Sequence, residues 1–184
     1  MLFRSPGGFG VVLADPPWRH EDYSPAGDKS KTPGHHYPTM PLADIMLLPV
    51  KGVAAADAAC FLWVTAPHLL QGFAVLAAWG FEFKTAGAWA KQSSTGEKWA
   101  FGTGQILRSA AEFYLIGTRG SPSPRSASVR NLIVAPRREH SRKPDQLHAD
   151  AEALYAGPYL ELFARSRQPG WTVWGDQTDR FEEA

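Results

Sequence analysis

The feature that most constrains the fold is a stretch of 24 residues, 58–81, that contains no charged side chain. A stretch of this length could span a bilayer as a single helix. Its pattern changes halfway, however, because residues 60–65 are typical of a buried strand and residues 67–79 of a helix that begins near Pro67 and ends at Gly80. A strand followed by a helix that packs on it is therefore the favoured interpretation.

The same alternation runs through the rest of the chain. Short apolar runs predict further strands at 10–14, 81–91, 111–118, 131–135, 159–164 and 171–175. Turn and capping signals predict helices at 41–48, with Thr39 as the cap, and at 144–155. Strands that alternate with helices favour an α/β fold with a mostly parallel sheet and flanking helices. Because the sequence shows no internal repeat and no break in composition, we expect one domain over 1–184.

Two long loops are expected to interrupt this frame, at 19–40 and at about 91–142. Loops of that length in a compact domain are usually functional or disordered. The segment 119–143 contains six arginines and one lysine against one acid, a charge of +6, and since the whole chain is +1 the remainder is −5. A basic loop on an acidic domain suits a phosphate backbone, although a solvated surface loop explains the same charge equally well.

Composition narrows the class of protein further. Apolar residues make up 44% and charged residues 20%, so disorder of the whole chain is excluded. The single cysteine, Cys60, excludes an internal disulfide framework and is typical of a reducing compartment. Residues 1–9 lack the apolar core of a signal peptide. We therefore expect a cytoplasmic protein that does not insert into a membrane.

The sharpest motif is Asp15-Pro16-Pro17-Trp18, directly after the first predicted strand. In open α/β sheets, ligands bind outside the carboxyl ends of the strands. Residues before a proline are held extended, and proline has no N–H to donate, so the Asp15 carboxylate and the Pro16 carbonyl are expected to stay free of local turns. Two such acceptors beside an aromatic ring suit a flat base with an amino group. The alternative is a Pro-Pro stop after a strand, with Trp18 in the core.

Further short motifs follow in order along nearly the whole chain: His-Tyr-Pro-Thr-Met at 36–40, Phe-Leu-Trp-Val-Thr at 61–65, Trp-Gly-Phe at 79–81, Lys-Pro-Asp at 143–145, Glu-Leu-Phe-Ala-Arg at 161–165, Pro-Gly-Trp at 169–171 and Gly-Asp-Gln at 175–177. Together with the Asp-Pro-Pro-Trp motif, this series resembles the DPPW-type adenine-N6 methyltransferases, which include the eukaryotic mRNA adenosine methylases and small bacterial and phage members. Several motifs in one order make the resemblance highly specific.

The resemblance implies a Rossmann-like, S-adenosylmethionine-dependent methyltransferase in which the catalytic motif precedes the main cofactor motif. It assigns the tetrapeptide 15–18 to catalysis, with Asp15 also contacting the cofactor. The lysine that matches Lys143 meets the cofactor's carboxylate in the family, and the residues that match Arg165, Asp176 and Gln177 line its ribose and adenine. Arg167-Gln168 differs from the His-Asn pair of the mRNA enzymes, which leaves the ribose contacts there less defined.

The expected chemistry follows from the adenine amine, whose lone pair is delocalised into the ring. If Asp15 and the Pro16 carbonyl accept both amine hydrogens, the nitrogen becomes more pyramidal and its lone pair is freed. A base in a duplex must leave the stack to be reached, and Trp18 would then be its platform, with Tyr37 as a candidate wall. Tyr37 could equally pack its loop onto the domain. Expected phosphate contacts come from the basic segment: Arg119, Arg125, Arg130, Arg137 and Arg138.

Other functions were weighed against this one. His20 and Asp22 with a distal His140 or His148 imitate the facial triad of iron oxygenases, but that fold is a β-sandwich and the motif 15–18 would stay unexplained. His35-His36 lacks further ligands at suitable spacing, so no metal is expected.

A non-catalytic partner subunit that binds nucleic acid is disfavoured by the intact Asp15. Methylation of cytosine is disfavoured because enzymes for that reaction more often begin the motif with serine and end it with tyrosine. DNA is expected before RNA as the substrate, and a second copy of the chain or a partner subunit is conceivable.

Overall fold

The computed structural model describes residues 5–19, 38–102, 104, 106–139 and 141–181. Within these residues the backbone forms one seven-stranded sheet in the order β5-β3-β4-β2-β1-β6-β7. The strands are β1 (Phe9–Ala14), β2 (Ala54–Val64), β3 (Glu82–Gln92), β4 (Ala111–Arg119), β5 (Leu132–Pro136), β6 (Tyr159–Leu162) and β7 (Trp171–Trp174). The helices are α1 (Leu42–Leu47), α2 (Val50–Val53), α3 (Leu69–Ala78), which follows a 3-10 turn, and α4 (Gln146–Leu154).

The sheet is mostly parallel, as the sequence predicts. Only β4 runs antiparallel to its neighbours β2 and β3, and the other pairings are parallel. As a result, β1, β2 and β3 end at the same edge of the sheet, and β4 begins there. The α/β, Rossmann-like class of fold is therefore confirmed.

Several predicted boundaries differ from the structure, for physical reasons. Strand β2 begins at Ala54 rather than at the predicted residue 60. The prediction missed its first four residues because they are partly buried or exposed and carry little apolar signal. The region 91–142 is not one loop, since β4 and β5 lie inside it; the irregular segments that remain are 120–131 and the described residues of 93–110. Helix α1 is not capped by Thr39; Pro41 stands at its N-cap, and the Pro41 carbonyl accepts from the backbone of Asp44 and Ile45.

Helices cover both faces of the sheet, and β2 shows how the core is divided. Its alternate residues Cys60, Leu62 and Val64 face a core with α1 and α3, where the Trp79 indole donates to the Ile45 carbonyl at 2.9 Å. The residues between them face a second core with α4. Burial on both faces explains why residues 58–64 of this strand carry no charge. Among the described residues, no helix is long and apolar enough to cross a membrane.

A close approach in β3 gives the first prediction. A Cβ added at Gly87 would lie 2.1 Å from the ring of Tyr114, which is buried against Trp63 at 5.2 Å between ring centroids. Replacing Gly87 with alanine must therefore displace this aromatic pair, and we expect a loss of about 1–3 kcal/mol in unfolding free energy. The matched control is Gly52→Ala, where a Cβ meets nothing within 4 Å. Equal denaturation midpoints for the two variants would contradict the packing described here.

Candidate active site

A cavity of about 430 Å³ opens at the edge of the sheet where β1, β2 and β3 end. This is the position at which open α/β sheets bind ligands. Asp15 and Trp18 reach it from the end of β1, Lys91 from β3 and Glu112 from the start of β4. The segment 137–143, which leads from β5 to α4, contributes the remaining charged wall. The predicted motif and the predicted cofactor lysine thus meet in one site.

The backbone of the motif differs from the expectation at one atom. The Trp18 N–H donates to the Pro16 carbonyl at 2.8 Å, so a local turn does use this acceptor. The prediction that the Pro16 carbonyl is free of local turns is therefore wrong. The Pro17 carbonyl in turn accepts from the Met40 N–H at 2.9 Å, which holds the returning chain against the motif. A carbonyl oxygen has two lone pairs, so Pro16 retains the capacity for one more hydrogen bond.

Four charged side chains alternate in sign at the base of the cavity. The Lys143 ammonium lies 2.8 Å from Asp15 Oδ2 and 3.3 Å from Glu112 Oε2, and Lys91 pairs with the other oxygen of Glu112. These side chains are mostly buried, with Asp15 18% and Lys143 15% exposed. The Lys143 ammonium also lies 5.8 Å from the ring of Trp63. The charges of the two cations and the two carboxylates cancel, and buried charged groups are tolerated when they are paired in this way.

The pKa values of this cluster show how strongly its members interact. Burial alone would raise the pKa of Glu112, but the attraction of Lys143 and then of Lys91 outweighs burial and holds the pKa at about 2. Burial likewise would lower the pKa of the Lys143 ammonium, whereas Asp15 and Glu112 raise it above its ordinary value. Lys143 is therefore charged at any working pH, as the partner of an anionic ligand must be.

The depressed pKa of Glu112 predicts a specific acid sensitivity. An ordinary glutamate titrates near 4.5 and Glu112 at about 2, so its ionised form stabilises the fold above pH 4.5, and this stability is lost as the pH falls toward 2. Between about pH 6 and about pH 3 the loss from this one group is about 2 kcal/mol. We expect Glu112→Gln to lose less stability than the unmodified protein over that window in denaturant titrations. If Glu112→Gln and the unmodified protein lose the same unfolding free energy over this pH range, the pairing of Glu112 with Lys143 and Lys91 is ruled out.

Trp18 lies deeper than a stacking platform requires. It is 6% exposed, its indole N–H donates to the Trp63 carbonyl at 3.1 Å, and its ring stacks on His68 at 5.5 Å. The His68 ring is itself held between the Thr65 hydroxyl at 2.8 Å and the Arg19 carbonyl at 3.3 Å, and burial lowers its pKa. One face of Trp18 is thus covered by the neutral imidazole. Its contact with a substrate base stays a prediction, limited to the part of the ring that lines the cavity.

The five arginines predicted to contact phosphates do not share one surface. Arg137 and Arg138 line the cavity, and Arg138 makes a bidentate pair with Asp145 at 2.8 Å. The other three donate to backbone carbonyls elsewhere: Arg119 to Lys51, Arg125 to Glu152 and Tyr155, and Arg130 to Ser128. Of the predicted phosphate contacts, only Arg137 and Arg138 lie at the site.

The remaining cofactor residues follow β6 and β7. Arg165 lies close enough to Lys143 for its positive charge to oppose part of the rise in that lysine's pKa. Asp176 is exposed. The Gln177 side-chain oxygen accepts a hydrogen bond from the Arg180 guanidinium at 2.7 Å. The loops after the two strands run together, since Ala164 N–H donates to the Trp174 carbonyl at 2.9 Å.

Several residues weighed in the sequence lie outside the described part of the chain: Tyr37, His20, Asp22, His35, His36 and His140. His148 is described and pairs with Glu161 at 2.9 Å. Within the described ranges, no group of side chains could hold a metal ion.

Sequence reasoning missed two members of the charge cluster, Lys91 and Glu112. The available signal was a charged residue near the end of β3 and another near the start of β4, at the edge of the sheet to which the motif points. Strand pairing places Glu112 opposite Trp89. The Glu112 carboxylate is therefore close to Lys91, which lies two residues after Trp89 on the same face of β3. Buried charges of this kind are rarely present without a partner or a function.

The donor set fits the cofactor that the sequence implies. Lys143 supplies a buried ammonium suited to a carboxylate, and Asp176 an exposed acceptor suited to ribose hydroxyls after the last strand. The loops after β6 and β7 approach so closely that a Cβ added at Gly175 would lie 2.5 Å from the Ala164 carbonyl. An anionic acceptor after β1, a charged lysine beside it and paired loops after the last strands are features that the resemblance to the S-adenosylmethionine-dependent enzymes implies.

Comparison with known proteins identifies the class more closely. The family profile described as MT-A70 matches residues 9–177. The type II methyltransferase M.MunI of Mycoplasma sp. is 32% identical and matches 91% of this chain and 76% of its own. The catalytic subunit METTL3 of the human N(6)-adenosine-methyltransferase is 32% identical over 94% of this chain, and a putative N(6)-adenosine-methyltransferase of Medicago truncatula is 33% identical over 93%. The chain spans only 29% and 26% of the lengths of these two eukaryotic relatives.

The chain belongs to the MT-A70 family. It is accordingly an S-adenosylmethionine-dependent N6-adenine methyltransferase by class.

Proposed function

We propose that this protein methylates the N6 amine of adenine in DNA, with RNA as the alternative polymer, and that Asp15 is the acceptor that orients the amine. The observation that supports this most directly is the Asp15 carboxylate, 18% exposed at the wall of the cavity and 2.8 Å from the Lys143 ammonium. S-adenosylmethionine supplies the reactive methyl group when bound. Lys143 is proposed to hold its carboxylate, and Arg165, Asp176 and Gln177 its nucleoside part.

Asp15 is proposed to work by accepting a hydrogen of the amine, with the second lone pair of the Pro16 carbonyl as the other acceptor. Alignment of this kind frees the nitrogen lone pair and removes the entropy cost of orienting two reactants. The amine gives up one hydrogen in the reaction, and Asp15 is the acceptor positioned to hold it. In the structure the Lys143 ammonium contacts Asp15 Oδ2, and an ionised carboxylate has lone pairs on both oxygens with which it can also accept the amine.

The choice of DNA rests on the similarity to the bacterial type II methyltransferase M.MunI. The chain is 32% identical to that protein over 185 residues and matches 76% of its length. The single cysteine, Cys60, is consistent with a cytoplasmic location. A non-catalytic role as a partner subunit is the competing proposal, and the buried charge cluster around Asp15 argues against it. A second copy of the chain is a further proposed partner.

Methyl transfer from labelled S-adenosylmethionine tests the proposal. The substrates are matched DNA and RNA oligonucleotides, each single- and double-stranded, with the adenine-free sequence as the control. We expect incorporation into adenine-containing DNA above RNA. Preference for RNA would reverse the choice of polymer, and cofactor binding without transfer to any of the substrates would favour the partner-subunit role.

The split among the arginines makes a separate prediction. Arg137 is exposed at the cavity, whereas Arg125 is held by the carbonyls at the end of α4. We expect Arg137→Ala to weaken oligonucleotide binding at all sequences and to reduce the slope of log affinity against log salt by about 1. Arg125→Ala, which removes the same charge from the chain, is expected to leave the slope unchanged. An equal effect of both replacements would show that overall charge, not the cavity rim, governs binding.

A further inference from the structure

The segment after β3 is folded back onto that strand. Trp99 forms an isolated bridge with Gln92, the Ala100 N–H donates to the Lys91 carbonyl at 2.9 Å, and the Gly102 N–H donates to the Ser109 carbonyl at 2.8 Å. Backbone bonds on both sides therefore fix residues 99–102 at the end of β3, beside the charge cluster. We name this segment, 99–102, the aromatic flap.

The side chains of the aromatic flap alternate in exposure. Trp99 is 63% exposed, Ala100 is buried, and Phe101 is 62% exposed. Trp99 and Phe101 are two residues apart and both exposed, and exposed apolar patches, unlike single exposed residues, mark interaction sites. Phe101 also lines the cavity, together with Ala100 and Gly102. Exposed aromatic surface thus begins at the mouth of the proposed base pocket and continues outward to Trp99.

Two arginines lie beside this surface. The Arg108 guanidinium lies 5.7 Å from the centre of the Phe101 ring. The Arg137 N–H donates to the Gln92 carbonyl at 2.9 Å, so its exposed side chain starts beside the residue that Trp99 is bridged to. Aromatic rings between cations are the combination that binds single-stranded nucleic acid, because the rings stack on bases while the cations contact phosphates.

We propose that Trp99 and Phe101 stack on the bases that flank the target adenine, in a strand that is single or locally opened. This inference rests on the proposed function and adds that the substrate strand is single or locally opened. In a continuous duplex the faces of the flanking bases are covered by their stacked neighbours, so the two aromatic rings could not reach them. The aromatic flap is continuous with the cavity, and arginines lie beside it. Both observations favour nucleic acid, rather than a second copy of the chain, as the partner that binds to the flap. Trp18 is only 6% exposed and is therefore too buried to stack on these flanking bases, so the stacking is assigned to the aromatic flap.

The test compares Trp99→Ala and Phe101→Ala with Phe83→Ala, an exposed aromatic at the opposite end of β3. The probe is a fluorescent single-stranded DNA oligonucleotide with one adenine, and its affinity is measured together with that for S-adenosylmethionine. We expect each flap variant to bind the oligonucleotide about 5- to 100-fold more weakly. Cofactor affinity and thermal midpoint are expected to stay unchanged, and Trp99→Phe to recover most of the binding.

Two results would overturn the inference. Unchanged oligonucleotide affinity in both flap variants, with methyl transfer intact, would remove the stacking role but leave the proposed function in place. Conversion of a dimer to a monomer by Trp99→Ala, with affinity per chain unchanged, would assign the aromatic flap to a second copy. Failure of the unmodified protein to methylate any of the oligonucleotides is distinct from both, since it would contradict the proposed function itself.

Discussion

Replacement of Asp15 by asparagine is expected to lower kcat for methyl transfer by about 10²–10³-fold, by analogy with the removal of one aligned group that stabilises developing charge. The variant keeps the size of the side chain but loses the negative charge that accepts the amine hydrogen. Lys143 retains Glu112 as a partner at 3.3 Å, so the fold is expected to persist. Steady-state kinetics, together with circular dichroism, separate loss of chemistry from loss of structure.

The matched control for Asp15→Asn is Glu139→Gln. Glu139 lines the same cavity but is exposed and pairs with Arg142 at 3.2 Å. Its replacement removes one negative charge from the site without touching the acceptor, and kcat is expected to change less than about threefold. Comparable losses in both variants would mean that the net charge of the cavity, and not the position of Asp15, controls the reaction.

Lys143→Met is expected to have the largest effect on stability. The lysine is the shared partner of Asp15 and Glu112, so its removal takes a direct counter-charge from two mostly buried carboxylates, while Lys91 remains paired with Glu112. Breaking a buried pair on one side typically costs about 3–5 kcal/mol. Affinity for S-adenosylmethionine is expected to fall as well, because the ammonium proposed to hold its carboxylate is lost. Denaturant titration and calorimetric binding measure the two effects separately.

A double variant makes the Lys143 prediction specific. Lys143→Met combined with Glu112→Gln removes one cation and one anion, so that Lys91 and Asp15 remain in balance. We expect it to regain part of the stability that Lys143→Met loses, while cofactor affinity stays low. A double variant no more stable than the single one would show that Lys143 acts through packing on Trp63 rather than through its charge.

Much of the frame was predictable because it depends on local pattern. Each predicted strand and helix has a counterpart, since buried strands of a parallel sheet are continuous apolar runs and the helices carry proline or glycine at their ends. The exposed start of β2 was not predictable in this way. Nor was the antiparallel direction of β4, which depends on how the segment 93–110 folds back and not on any pattern within the strand.

The site was predictable in part. Asp15 and Lys143 are 128 residues apart in sequence and meet at 2.8 Å. The resemblance assigned both residues to the cofactor site, but it did not predict that they pair with each other. The use of the Pro16 carbonyl by Trp18 depends on a backbone turn that propensity does not reveal. The burial of the Trp18 ring depends on His68, which comes from another element.

The basic segment shows why charge counts alone mislead. Its arginines are close in sequence, but β5 and the connections around it send them to different surfaces. Only their hydrogen-bond partners distinguish Arg125, which holds the end of α4, from Arg137, which lines the cavity. The same holds for Lys91 and Glu112, whose pairing depends on strand register.

Nucleoside mass spectrometry of the methylated product tests the central claim most directly. An oligonucleotide that contains all four bases is incubated with S-adenosylmethionine and the unmodified protein or Asp15→Asn, and then digested to nucleosides. The account predicts N6-methyladenine as the product, reduced about 10²-fold or more by Asp15→Asn. Methylated cytosine, or N6-methyladenine formed equally well without the Asp15 carboxylate, would contradict it.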